Sequence, residues 1–79
     1  MKARTAKLDD KVVFVLADGS ERPATIVNVL DGGVNLAVRA SSAELAALPT
    51  QLHHRPDDFI RRLVAFSAEA EPNTWHWPA

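Results

Sequence analysis

Two glycine-containing turn signals constrain this chain more than any other feature. Asp18-Gly19 and Asp31-Gly32-Gly33 supply the positive φ that tight hairpin turns need. The segments beside these turns are rich in apolar and β-branched residues: VVFVLA at 12–17, ATIVNVL at 24–30 and VNLAVR at 34–39. Such segments, bounded by turn signals, are typical of strands. The sequence therefore predicts a three-stranded antiparallel meander over residues 12–39.

The second strand is expected to begin after Pro23. Proline has no N–H for a central ladder and suits the first residue of a strand or an edge position. We therefore expect the first turn to extend through Ser20.

A short helix is predicted after the meander. Ser41 and Glu44 have the spacing of a capping box, the residues up to Leu48 favour helix, and Pro49 ends it. We predict one or two helical turns within residues 42–48. The proline-bracketed residues 49–58 predict a loop.

Periodicity does not decide the structure of residues 59–68, which have the sequence FIRRLVAFSA. The apolar positions nearly fit a helical stripe, which Asp57 or Asp58 would cap. They also fit a strand with Val64 and Phe66 on one face and Leu63 and Ala65 on the other. Both structures stay open on the residues alone.

Composition indicates one small domain without disulfides. The chain has 79 residues, no cysteine and a net charge of −1. A core of this size contributes only about 3–5 kcal/mol, so a tight core, a histidine or carboxylate metal site, or a partner has to stabilise it. The weak net charge favours neither nucleic acid nor acidic lipid.

The start of the chain is locally basic, and we expect a solvated arm at residues 1–10 before a single domain at residues 11–79. The residues considered for contacts with phosphate are Lys2, Arg4, Lys7, Arg61 and Arg62. No apolar run approaches the about 20 residues that span a bilayer, and the first ten residues lack the apolar part of a signal peptide. We therefore expect a soluble intracellular protein or part of an assembly.

No group of residues predicts catalysis, a cofactor or a metal. Adjacent histidines diverge on a strand or helix, so the candidate ligands His53, His54, Asp57, Asp58 and His76 do not form a recognisable set. The serines 41, 42 and 67 lack a nucleophile elbow. The glycines after Asp31 lie between strands and do not open a helix, so they do not cradle phosphate. We expect a protein that is not an enzyme.

The ending, EPNTWHWPA, carries both tryptophans. In an extended segment Trp75 and Trp77 share one face and His76 takes the other, and Pro78 favours extended geometry before it. Burying one tryptophan is worth at most about 5 kcal/mol, so both rings are not expected to stay in water. Either the segment Trp75, His76, Trp77 and Pro78 folds back and closes a barrel, or it docks on a partner.

The chain also resembles a group of small bacteriophage and prophage proteins. The likeness lies in the series VVFVLADGSERPATIVNVLDGGVNLAV and LVAFSAEAEPNTWHWP, and it covers residues 12–39 and 63–78. The terminal Thr-Trp-His-Trp-Pro is its most specific part, whereas residues 40–58 do not match the group. The resemblance implies a phage origin and a strand at residues 62–67, and it implies no reaction or active-site residues.

Together these observations predict a mostly β fold: a small SH3-like barrel, or a bent antiparallel meander, of four or five strands with one short helix. The predicted core is Val13, Val15, Ile26, Val27, Val29, Val34, Leu36, Val38, Leu63 or Val64, and Phe66. Trp75 is expected to close that core, with Trp77 as a further candidate.

The expected function is that of a non-enzymatic virion accessory protein, a head-decorating or head–tail component that acts through protein–protein contacts. Its expected partners are other phage structural proteins or further copies of itself, in the host cytoplasm during assembly and then in the virion. A second hypothesis is an early phage protein that inhibits a host defence or transcription factor. A third is a small nucleic-acid-binding barrel, in which Arg39 and Arg55 would join Arg61 and Arg62; nucleic acid and membrane are not the preferred partners.

Overall fold

Strands account for most of the regular structure in the computed structural model, which describes residues 5–48, 50–55 and 57–78. Its elements, in chain order, are β1 (Lys11–Val15), β2 (Glu21–Leu30), β3 (Gly33–Arg39), α1 (Ser42–Ala46), a 3-10 turn (Thr50–Leu52), β4 (His53–Arg55), β5 (Asp58–Phe66) and β6 (Thr74–His76). No helix in these residues is long and apolar enough to cross a membrane.

The strands close into a small barrel. β1, β2 and β3 form the predicted antiparallel meander, and β5 pairs antiparallel with the free edge of β3. β6 then lies between β5 and β1, parallel to the first and antiparallel to the second. This ring has five strands, and β4 pairs with the start of β5 beside it. The predicted small, mostly β fold with one short helix is confirmed.

Both predicted turns form where the glycines are. Gly19 has a φ of 88° and Gly32 a φ of 86°. Asp18 stabilises the first turn because its Oδ1 accepts hydrogen bonds from the backbone N–H of Ser20 at 2.9 Å and from its hydroxyl at 2.6 Å.

The second strand begins earlier than predicted, at Glu21, and includes Pro23. Pro23 pairs with Val13 of β1, whereas pairing with β3 begins only at Ala24. The first residues of β2 therefore have one neighbouring strand, and proline's missing N–H leaves no gap in the ladder.

The capping box predicted for α1 is confirmed. The hydroxyl of Ser41 accepts the N–H of Glu44 at 3.2 Å, and Oε1 of Glu44 accepts the N–H of Ser41 at 3.0 Å. The helix ends at Ala46, two residues before the predicted limit, and buries Leu45 against the barrel.

Of residues 59–68, those up to Phe66 belong to β5, which confirms the strand that the resemblance implies at 62–67 except at its last residue, Ser67. The free edge of β3 decides this because it pairs with β5 along nearly its whole length. The prediction of a loop over 49–58 is wrong in part, since His53–Arg55 also pairs with β5.

The core combines inward positions from the five strands of the ring with Leu45 of α1. Of the predicted core residues, seven are buried: Val15, Ile26, Val34, Leu36, Val38, Val64 and Trp75. The buried apolar residues that the prediction missed are Val12, Phe14, Ala24, Ala37, Leu45 and Phe59.

Four predicted core residues are not in the core: Val13 and Val27 are half-buried, and Val29 and Phe66 are exposed. In β1 the inward residues are Val12 and Phe14, so Val13 points outward beside Pro23 and His76. Val27 lies at a register shift between Ile26 and Asn28. Such a bulge exchanges the faces of the residues beyond it. Beyond it Val29 pairs with the buried Val34, yet Val29 stays exposed near the end of β2.

The arm predicted for residues 1–10 is attached to the sheet at its end. The N–H of Asp9 donates to the carbonyl of Ile26 at 2.8 Å, and the N–H of Ile26 donates to the carbonyl of Asp10 at 3.0 Å. Residues 9 and 10 thus continue the pairing of β1 with β2 as far as Ile26, next to the bulge.

Candidate protein-binding surface

The aromatic ending closes the barrel through Trp75. This residue is paired with Phe14 of β1 and Phe66 of β5, and its side chain is part of the core. The Trp75 ring makes edge-to-face contacts with Phe66 and with Trp77, each with centroids 5.0 Å apart. For Trp75, then, the structure shows the first of the two expected fates, folding back onto the chain's own sheet.

The rest of the ending follows the outside of the barrel. Trp77 is half-buried and packs against the core cluster, so the two tryptophans meet as their spacing predicts. Pro78 is exposed and lines a groove on the outer sheet face. The larger part of the segment's apolar surface is therefore already covered by the chain itself.

His76 points away from the tryptophans and ties the ending to β2. Its Nε2 lies 2.9 Å from Oε2 of Glu21, and its Nδ1 lies 2.9 Å from the carbonyl oxygen of Trp77. A neutral imidazole donates one hydrogen bond, whereas the protonated ring donates two. The Trp77 carbonyl raises the pKa of His76 most, Glu21 raises it further, and burial opposes both.

The outer face of β1, β2 and β3 carries a groove of about 560 Å³. Three charged side chains on its walls are already paired within the chain: Glu21 with His76, Arg22 with Glu44, and Arg39 with Asp57. Its floor includes the small or apolar residues Val13, Pro23 and Ala37. The groove thus shows no excess of either charge to select a ligand.

The predicted basic residues that the structure describes differ in their surroundings. Lys2 and Arg4 lie outside the described residues, and Lys7 is exposed near the start of the described chain. Arg61 is half-buried with its guanidinium carbon 5.5 Å from the centroid of the Phe14 ring, so it covers the core. Its neighbour Arg62 is exposed.

Some of the candidate metal ligands and nucleophiles have structural partners among the described residues. Among the described residues no three histidine or carboxylate side chains are placed to hold a metal ion; the side chains of His53, His54 and Arg55 lie outside that description. Ser41 caps α1, and the hydroxyl of Ser67 donates to Oε1 of Glu71 at 3.0 Å.

An exposed apolar patch lies at the end of the barrel where β2, β3 and β5 meet. We call it the apolar patch and define it as Leu30 and Leu63, which are 42% and 58% exposed. Val29 is also exposed, but it pairs with the buried Val34 and so lies on the opposite face of β2 from Leu30. Leu30 pairs with Gly33, and the backbone of Leu63 approaches the other side of the same glycine. The two leucines therefore flank Gly33 on neighbouring strands.

Leu63 is held in a backbone conformation that leucine rarely adopts. Its φ is 51°, because the register between β3 and β5 shifts and leaves Arg62 and Leu63 opposite Asn35. The side chain of Asn35 supports this bulge: its Oδ1 accepts the N–H of Leu63 at 2.9 Å. Gly33 makes room for it, since a Cβ there would lie 2.8 Å from the carbonyl oxygen of Val64.

Sequence reasoning assigned Leu63 to a core alternative and did not find this patch. The available signals were Asn35 and the second glycine of Asp31-Gly32-Gly33, which has no turn role because only Gly32 takes a positive φ. A glycine that the turn conformation does not require indicates that another strand approaches its backbone closely.

Comparisons with protein family models, with curated proteins and with solved structures find no match for this chain.

Proposed function

We propose that this chain is a non-enzymatic bacteriophage protein that acts through protein–protein contact, as a head-decorating or head–tail accessory component of the virion. The observation that carries the proposal is the apolar patch, in particular the supported left-handed conformation of Leu63. The phage context comes from the resemblance of residues 12–39 and 63–78.

The energetics of Leu63 favour a contact role over a folding role. A non-glycine residue in the left-handed region costs about 1–3 kcal/mol, and the 58% exposure of Leu63 returns little by burial. Such strain at an exposed position is typical of residues that serve binding. A partner that covers Leu30 and Leu63 would bury apolar surface that stays exposed in the folded chain, and this burial would stabilise the complex.

Incorporation into a particle also suits the size of the domain. A 79-residue barrel has a small core, and binding that favours the folded state stabilises it by mass action. A shell that holds many copies supplies such binding at a high local concentration.

The test is quantitative mass spectrometry of purified particles of the phage that encodes the chain. The proposal predicts many copies per particle, in constant ratio to the capsid protein and retained through density-gradient purification. Absence from particles, together with synthesis early in infection, would overturn the proposal and favour an inhibitor of a host factor.

A further inference from the structure

We propose that the apolar patch binds a second copy of this chain, in a twofold dimer with Asp31 of each copy against Arg62 of the other. The inference rests on the proposed function in one respect, the use of this patch as a protein contact. It names the partner, which the proposed function leaves open.

The charges beside the patch support this partner. Asp31 directly follows Leu30, Arg62 directly precedes Leu63, and both charged side chains are exposed. Neither makes an ion pair with another described residue. The patch thus has an acidic residue, Asp31, beside Leu30 and a basic residue, Arg62, beside Leu63, and neither is paired with a described residue.

This arrangement is self-complementary. In a twofold interface the same surface is used by both copies, so a residue that meets a second residue is met by it in return. An axis that passes near Gly33 sets the Leu30 side of one copy against the Leu63 side of its partner. It thereby brings Asp31 toward Arg62 twice while the leucines exclude water between them.

The balance of charge disfavours partners of a single sign. A nucleic acid or a strongly acidic segment would gain from Arg62 but be repelled by Asp31. A further copy of the chain satisfies both charges. Because two apolar side chains make a small patch, the dimer is expected to be weak and to depend on concentration, as suits a protein that accumulates at one place in an assembly.

The first measurement is sedimentation velocity of the whole purified chain from about 10 µM to about 1 mM, the range in which weak interfaces associate. We expect a reversible shift from monomer to dimer. A chain that stays monomeric over this range overturns the inference, even if the protein is later found in virions. Conversely, a dimer that forms in solution is independent of whether particles contain the protein.

Charge reversal then tests the named contact. Arg62→Asp and Asp31→Arg should each weaken dimerisation at least tenfold, because each places like charges across the axis twice. The double variant Asp31→Arg with Arg62→Asp should recover it. Neither position has a positive φ, so the new side chains fit the backbone, and circular dichroism checks that each variant folds.

Lys11→Asp is the matched control for Arg62→Asp because it makes the same change of charge at an exposed position of β1, a strand that does not carry the apolar patch. It should dimerise like the wild type. A dimer that survives both single reversals, or a double variant that does not recover, overturns the assignment of the interface.

Discussion

Leu63 combines an unfavourable backbone conformation with an exposed side chain. Its left-handed backbone is imposed from outside: Asn35 accepts its N–H, and Gly33 leaves room for the bulge. The neighbouring arginines diverge at the same bulge, because Arg61 covers Phe14 whereas Arg62 stays in solvent. A one-residue change of register thus decides which side chains of β5 serve the core and which serve the surface.

Replacing Leu63 should separate backbone strain from contact. Leu63→Gly removes the left-handed penalty but adds glycine's entropy in the unfolded chain, so the free energy of unfolding should stay the same or rise by up to about 1 kcal/mol. Leu63→Val should lower it by about 1 kcal/mol or more, since β-branched residues tolerate positive φ poorly. Urea denaturation measures both, and a valine variant as stable as the glycine variant would contradict the strain.

His76 should make the closure of the barrel depend on pH. Its folded pKa is raised above the unfolded value of 6.5. The contribution of protonated His76 is therefore fully present below pH 6.5 and is lost as pH rises through the higher folded pKa.

The comparison is between the wild type and His76→Gln, which keeps a donor but does not titrate. Between about pH 6 and about pH 8 the thermal midpoint of the wild type should fall more than that of the variant. Glu21→Gln should reduce this difference without abolishing it, because the Trp77 carbonyl raises the pKa most. Equal pH profiles for the wild type and His76→Gln would show that the ring does not hold the ending in place.

At the scale of elements, β6 does more for the fold than its three residues suggest. It joins β1 to β5 and so closes the ring. The sequence predicted that the stiff, aromatic ending would pack either on the chain's own barrel or on a partner. The structure shows that β6 packs on the chain's own barrel.

Trp75 and Trp77 should therefore differ sharply when truncated. Trp75→Ala should cost about 3–5 kcal/mol, enough to unfold an isolated domain of this size. Trp77→Ala should cost clearly less because that ring is half-buried. Trp75→Phe should be milder than Trp75→Ala, since it keeps a ring and removes an indole N–H that is buried without an acceptor among the described residues.

Removing residues 73–79 extends this test from one ring to the element. The isolated chain without them should be unfolded by circular dichroism, because the slot between β1 and β5 would be left open. A truncated chain that folds normally would mean that Trp75 is not needed for the core, which the structure contradicts.

The turns and the helix cap depend on residues close together in the sequence, and they could be predicted. The β-bulges depend on pairing with a distant strand, and they could not be predicted. Asp18-Gly19, Asp31-Gly32 and the Ser41–Glu44 box act within a few residues, and the structure confirms each turn and cap. The bulges at Val27 and at Leu63 depend on the neighbouring strand. The bulge at Leu63 takes this residue out of the core alternation of β5, which is why the apolar patch could not be predicted from the sequence.

For the whole molecule, the barrel is closed by a buried side chain, whereas the proposed contact is made by exposed side chains. Trp75 completes the core at the joint between β1 and β5, whereas Leu30 and Leu63 stand exposed beside Gly33. Changes at the apolar patch should therefore alter association without unfolding the chain. Changes at Trp75 should unfold it.

The most direct test is competition for incorporation into particles. Wild-type chain and Leu63→Asp are produced at equal levels during infection, and mass spectrometry measures their ratio in purified virions. Aspartate tolerates the left-handed region, so this variant should fold while it loses the apolar contact. Ala68→Asp, at an exposed turn position, serves as the control. We predict at least tenfold enrichment of the wild type over Leu63→Asp and none over Ala68→Asp; equal incorporation of Leu63→Asp, or virions that contain neither chain, would contradict the account.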